Sequence, residues 1–179
     1  MMIFSCFVQS HYDFIAPFFL SGSKKVQKVL KNTQKRALRL ACGIGKGSHT
    51  AIHFLHNDVP PIELLSKYKI FKCMYLLKNS DLNNTIGKCW QTNNELGIRT
   101  ARNGNKIRLP SIKVKSTSRL PLFTYPVVYN DLIDFFVSDK CEKDFSKLKT
   151  YLLEVYYDTN ISSKIVNYDN NSNDNIFNK

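Results

Sequence analysis

The sequence predicts a mainly α, small helical domain with an irregular Pro- and Gly-containing segment near residues 95–130. Three observations predict it. Residues 24–41 read KKVQKVLKNTQKRALRLA, without Gly or Pro and with apolar residues at helical spacing. A second run, from Ile62 to Lys78, follows Pro60 and Pro61 and is apolar nearly all round. Between Leu96 and Pro126 the punctuation of Gly97, Gly104, Pro110, Pro121 and Pro126 breaks any long helix.

Each element has its own signals. The opening MMIFSCFVQSHYDFIAPFFL lacks a basic start and a small-residue cleavage site, and Gln9, His11 and Asp13 interrupt it. It reads as core-packing structure. Ser23 is placed to cap the helix at 24–41, and Gly43, Gly45 and Gly47 end it. A short helix is expected from Ser48 or Thr50 to before Val59. Proline suits a first helical turn, so Pro60 and Pro61 announce the helix at 61–78. IKVKS and FTYPVVY suggest short extended pieces. Asp139 followed by Glu142 fits a capping box for a last helix at 140–156, with Phe145, Leu148, Leu152 and Val155 as its apolar stripe. Residues 1–157 form one domain in this reading. The Asn-rich stretch 158–179 is expected to be a disordered tail.

The 179 residues carry a net charge of +12, unevenly placed. Residues 1–130 hold 20 Lys/Arg against 5 Asp/Glu, or +15, and residues 131–179 hold 6 against 9, or −3. A basic body suits a polyanion partner. The five cysteines are scattered without a C-x-x-C pair, which argues against a disulfide framework or a zinc ribbon. Reduced thiols imply an intracellular setting, nucleus or cytoplasm.

The helix at 24–41 is the main candidate site. At about 100° per residue, Val26, Val29, Leu30, Thr33, Ala37 and Leu40 share one side, expected to face inward. Lys24, Lys28, Lys31, Lys35 and Arg39 fall opposite, flanked by Lys25 and Arg36. No acidic residue stands between Asp13 and Asp58. Like charges at i,i+3 and i,i+4 cost a few tenths of a kcal/mol per pair, so an all-cationic face asks for a partner. A phosphate backbone, a merely solvated surface and an anionic membrane stay open as readings. The narrow, aromatic-poor apolar stripe disfavours the membrane. Candidate nucleic-acid-binding residues are thus Lys24, Lys28, Lys31, Lys35, Arg36 and Arg39.

Catalytic and metal signals are weak. His49, His53 and His56 stand at i, i+4 and i+7, with Cys42 or Cys73 as a conceivable fourth ligand, but the spacing matches no established zinc pattern. No two Asp/Glu residues are adjacent. The cluster Asp131, Asp134, Asp139, Glu142 and Asp144 is explained by a helix start rather than two-metal chemistry. GIGKG is too short for a P-loop, and no Ser–His–Asp or Cys–His arrangement can be read from spacing. The expectation is no cofactor, no metal and no enzyme.

An ordered series of local signatures resembles the region that follows the catalytic core in reverse transcriptases of non-LTR (LINE-type, especially jockey-like) retrotransposons. SHYDFIAPFF is similar to that family's P-H-x-D-Y-x-x-x-x-W stretch, with His11, Asp13 and Phe14 in place. Leu30, Gln34, Ala37, Leu38, Arg39, Leu40 and Gly43 match L-x-x-x-Q-x-x-A-[IL]-R-x-[IL]-x-G. VPPIELLSKYKIFKCMYLLKN resembles the helix that follows, and IRTARNGNKIRLP the T-R…L-x-[LI]-P stretch. VVYNDLI stands where [LI]-W-N-x-L-P is usual, with Tyr129 for Trp and Ile133 for Pro, and DFSKLKTYLLEVY where F-K-x-x-L-K-x-x-L is usual. The series covers about residues 7–157. The resemblance implies a thumb-side, C-terminal piece that holds template or primer backbone without catalysing a reaction; the family's polymerase and endonuclease parts would lie upstream of Met1.

Three functions therefore compete. The first is a non-catalytic nucleic-acid-binding fragment contacting RNA or DNA backbone without sequence preference. The second is a domesticated or decayed helical module whose partner is a protein of unknown identity, and the third an independent enzyme. No membrane partner is expected.

Overall fold

A computed structural model describes residues 4–46, 50–80, 89–98, 104–109, 111 and 117–158. The architecture is mainly α, as the sequence predicts. A π-helical turn, Phe4–Gln9, runs straight into α1, Ser10–Phe19. Then come α2 (Lys24–Cys42), α3 (Thr50–His56), α4 (Ile62–Lys78), a 3₁₀ turn at Thr117–Arg119, α5 (Pro121–Val137) and α6 (residues 145–158). Between α4 and α5 the described residues are irregular, apart from a single antiparallel bridge between Thr92 and Ile107. Ser48, His49, IKVKS and the tail from residue 159 lie outside the described residues.

The helix ends follow local chemistry. The Val26 N–H donates to Ser23 Oγ (3.3 Å), which satisfies one of the orphan donors of α2. Gly43 closes the same helix at φ 66°, with Ile44 N–H returned to Arg39 O (2.9 Å). The last helix corrects the expected cap. Residues 139–143 form a turn in which Glu142 and Lys143 take positive φ (53° and 59°). Asp144 Oδ1 then accepts from Ser146 N–H (2.7 Å), so Asp144 caps α6 rather than an Asp139–Glu142 box.

α5 is the larger correction, because FTYPVVY is helical and the irregular segment ends by residue 120. Pro121 occupies the first turn, where a missing N–H costs nothing. Pro126 lies inside the helix and leaves the Leu122 carbonyl without its i+4 donor. The Trp90 indole N–H takes that oxygen (3.3 Å). A tertiary contact thus replaces the lost rung, which no local reading of prolines foresees.

α4 is the hub, buried on two sides. Ile70, Phe71 and Met74 meet Tyr129, Leu132, Ile133 and Phe136 of α5 with Leu148 and Leu152 of α6. Phe71 stacks on Tyr129 (5.5 Å between ring centres) and meets Phe136 edge-on (5.0 Å). Each fully buried ring stabilises by about 1.5–3 kcal/mol. On its other side α4 gives Ile62 and Leu65 to Tyr12, Ala16 and Phe19 of α1. A third cluster joins Phe4, Leu38, Phe54, Val59 and Tyr157. The opening segment therefore packs the core as expected on one side, while Phe7, Phe14 and Phe18 stay exposed on the other.

Candidate nucleic-acid interface

α2 is rotated from the expected setting by about 90°, a quarter turn. Val26 is 50% exposed and Leu40 84%, while the side turned inward carries Leu30, Gln34 and Leu38. The reason is Gln34. Its Oε1 accepts from Ile62 N–H (2.9 Å) and its Nε2 donates to Pro60 O (3.1 Å) and to Gln9 Oε1 (3.4 Å). The amide closes the N-terminus of α4, which has no side-chain cap of its own. A buried polar side chain satisfied this way outweighs the valines that a purely apolar count would bury.

The rotation redistributes the cations. Of the six candidates, Lys24, Lys28 and Arg36 are exposed, and Lys25 joins them. Lys31 turns toward α4, pairs with Glu63 and lies 6.0 Å from the Phe19 ring centre. Lys35 is half-buried in a shallow groove beside Phe54 and Tyr156, and Arg39 is half-buried. Lys24, Lys25, Lys28 and Arg36 form no ion pair with a described residue. The two nearest acids in sequence are already engaged, Asp13 with Lys69 (3.0 Å) and Asp58 with Lys149 (3.4 Å). Lys24, Lys25 and Lys28 therefore stand together on the outer side of α2, with Arg36 about two turns further along, and none of the four has an ion-pair partner among the described residues.

Among the described residues no other constellation comes together. His53 and His56 lie on α3, whereas His49 is outside the described residues. No group of three His, Cys, Asp or Glu among the described residues is placed to hold a metal ion. The acidic cluster disperses, with Asp134 pairing with Lys106 (2.8 Å), Glu142 with Lys147 (2.7 Å) and Asp144 capping α6. A cleft of about 320 Å³ opens between α1, α4 and α6, walled by Leu64, Leu65, Leu152 and Leu153 and rimmed by the Asp13–Lys69 and Asp58–Lys149 pairs. Apart from Tyr68, its titratable lining residues are Asp13, Lys69, Asp58 and Lys149, which are engaged with one another in those two ion pairs. No described helix is long and apolar enough to cross a membrane.

Several positions that carry the resemblance have structural employment. Gln34 ties α2 to α4. Asn130 grips Ile107 at both ends, accepting from its N–H (2.7 Å) and donating to its C=O (2.8 Å). Tyr129 fills the core where the family signature has Trp. The chain matches no protein-family model, no characterised protein and no solved structure.

Proposed function

We propose that this chain is a non-catalytic, nucleic-acid-binding piece of a non-LTR reverse-transcriptase-like protein, holding RNA or DNA by its backbone through α2. The observation that carries the reading is the set of four exposed cations on α2, Lys24, Lys25, Lys28 and Arg36, none of which has an ion-pair partner among the described residues. Mutual repulsion at helical spacing is a standing cost that phosphates remove, and each neutralised phosphate releases condensed counterions. Point charges along a rod read no bases, so the binding is independent of sequence. The ordered signatures over about residues 7–157 supply the family reading, and nuclear or cytoplasmic work follows from such a partner.

The test is affinity for labelled RNA and DNA oligonucleotides across a salt series. Four contacts give a slope of log K against log salt of about −3.6 on duplex DNA and about −2.8 on single strands. Binding that ignores salt, or no binding at low salt, overturns the reading. A second reading, a helical protein-interaction module, is favoured by one observation: Phe7, Phe14, Phe18, Val29 and Leu40 are all exposed on α1 and α2 or the π turn before them.

A further inference from the structure

We propose that the outer face of the α1–α2 hairpin is a stacking platform for an unpaired nucleic-acid strand. Phe14 and Phe18 lie under successive bases, and Lys25, Lys28 and Arg36 lie along the phosphates. This rests on the function proposed above and narrows it from nucleic acid of either form to a single strand.

The hairpin is a fixed unit. Gln27 Nε2 donates to Leu20 O (3.2 Å) and Gly22 O (3.0 Å) across the turn, and Tyr12 O–H donates to Leu30 O (3.4 Å) further along. α1 buries Tyr12, Ala16 and Phe19. Its opposite side carries Phe14, 81% exposed, and Phe18, 58% exposed, four residues apart and therefore on one line. Phe7, in the π turn that precedes them, is 69% exposed. Around α2, at about 100° per residue from the α1-facing Leu30, the exposed residues are first Val26, Thr33, Leu40 and Val29, then Arg36, Lys25, Asn32 and Lys28. Around α2 the exposed apolar residues and the cations thus adjoin, with Arg36 and Lys25 next to Val29 and Lys28 furthest from α1.

The occupant must be anionic and must also present flat apolar faces. A second copy of this chain would set Lys25, Lys28 and Arg36 against their own kind, a repulsion that opposes pairing. A lipid surface would have to take in Asn32, Thr33 and Arg36, which stand between Val29 and Leu40 along the helix. A duplex neutralises the cations but keeps its bases stacked inside, leaving the phenylalanine rings in water. An unpaired strand alternates charge and π-face along its length, and every base has a face that an aromatic ring can cover.

The experiment compares a 12-nucleotide oligo-U, oligo-dT and a 12-base-pair duplex on wild type, F14A/F18A, F14L/F18L and F14W/F18W. Circular dichroism confirms that the exposed substitutions leave the helices intact. Wild type is expected to prefer the single strands. F14A/F18A and F14L/F18L lose about fivefold or more per ring on single strands and keep their duplex affinity. Leucine keeps apolar bulk but not the ring, so equal loss in both variants identifies stacking. F14W/F18W keeps the preference, and its added indole fluorescence is quenched on binding. If wild type binds duplex as well as single strand, or if F14A/F18A keeps the single-strand preference, stacking is refuted while backbone binding stands. Affinity retained by leucine but lost by alanine refutes stacking in favour of plain apolar contact. No binding to any oligonucleotide, with flotation on phosphatidylserine-containing vesicles or capture by an acidic protein, overturns both this inference and the function beneath it.

Discussion

Gln34 is 1% exposed at the middle of α2 and serves Ile62 N–H, Pro60 O and Gln9 Oε1 at once. Gln34→Ala removes the acceptor for Ile62 N–H and the donor for Pro60 O. Ile62 is itself 1% exposed, so water does not reach its amide to compensate. Two hydrogen bonds contribute about 1 kcal/mol each, and a buried donor left unsatisfied costs about 1–3 kcal/mol more. The expected loss is about 3 kcal/mol. In a chain of 179 residues that lowers Tm by about 6–12 °C. Urea denaturation followed by far-ultraviolet circular dichroism measures it, with Gln27→Ala, on the half-buried side of the same helix, as a milder comparison. Gln34→Glu sharpens the test. An ionised carboxylate still accepts from Ile62 N–H but cannot donate to Pro60 O. Burial raises its pKa, so part of the loss is recovered as pH falls and the acid regains a proton to donate. A Gln34→Ala protein within about 0.5 kcal/mol of wild type, the range of an ordinary surface change, refutes the argument that this amide sets the rotation of α2.

Three further outcomes follow from the core. Asn130→Ala releases Ile107 at both its N–H and C=O; a loss of about 2 kcal/mol is expected, with faster hydrogen exchange at the Ile107 amide. Burial, then the neighbouring Tyr75 and Glu95, push the Tyr129 phenol up to about 12, and burial raises Tyr157 in the same direction. The unfolded chain loses these protons near pH 10 while the folded chain keeps them. Stability is therefore complete below about pH 10 and falls as pH rises toward 12. Tyr129→Phe should flatten that alkaline slope in a pH series of urea midpoints. Of the free thiols, Cys6, Cys73 and Cys89 are exposed, whereas Cys141 is buried and held above its usual pKa mainly by that burial. A colour-forming thiol reagent should label the first three quickly and Cys141 only on unfolding.

The parts of the fold legible in the sequence are those governed by local chemistry. The ends of α2 at Ser23 and Gly43, and the start of α4 after Pro60–Pro61, follow from caps and punctuation that act within a few residues. What escaped needed either a partner distant in sequence or an unusual local backbone conformation. Pro126 is tolerated because Trp90, 36 positions earlier, covers the stranded Leu122 carbonyl. The capping box at Asp139 was displaced by a turn with two residues at positive φ, a conformation that Glu and Lys seldom announce. The candidate site was half legible. Its cationic helix and the absence of acids could be counted, but which cations face water depended on Gln34, whose role exists only once α4 is in place. Lys31 left the set for the same reason, since Glu63 is brought beside it by the packing of α4 on α2.

Phosphate contact by the outer cations of α2 is tested most directly by Lys24, Lys25, Lys28 and Arg36, all changed to Gln, measured against wild type and against Lys31→Gln. Single-stranded RNA affinity is taken across a salt series, with urea stability of each protein alongside. The slope of log K against log salt is expected to fall from about −2.8 in wild type to near zero in the quadruple variant. Stability should stay within about 0.5 kcal/mol, because the four side chains face solvent and repel one another. Lys31→Gln, whose lysine is turned toward Glu63, should keep the wild-type slope. Coincident slopes for wild type and the quadruple variant would mean that these cations only meet water, and the proposed function would fall with them.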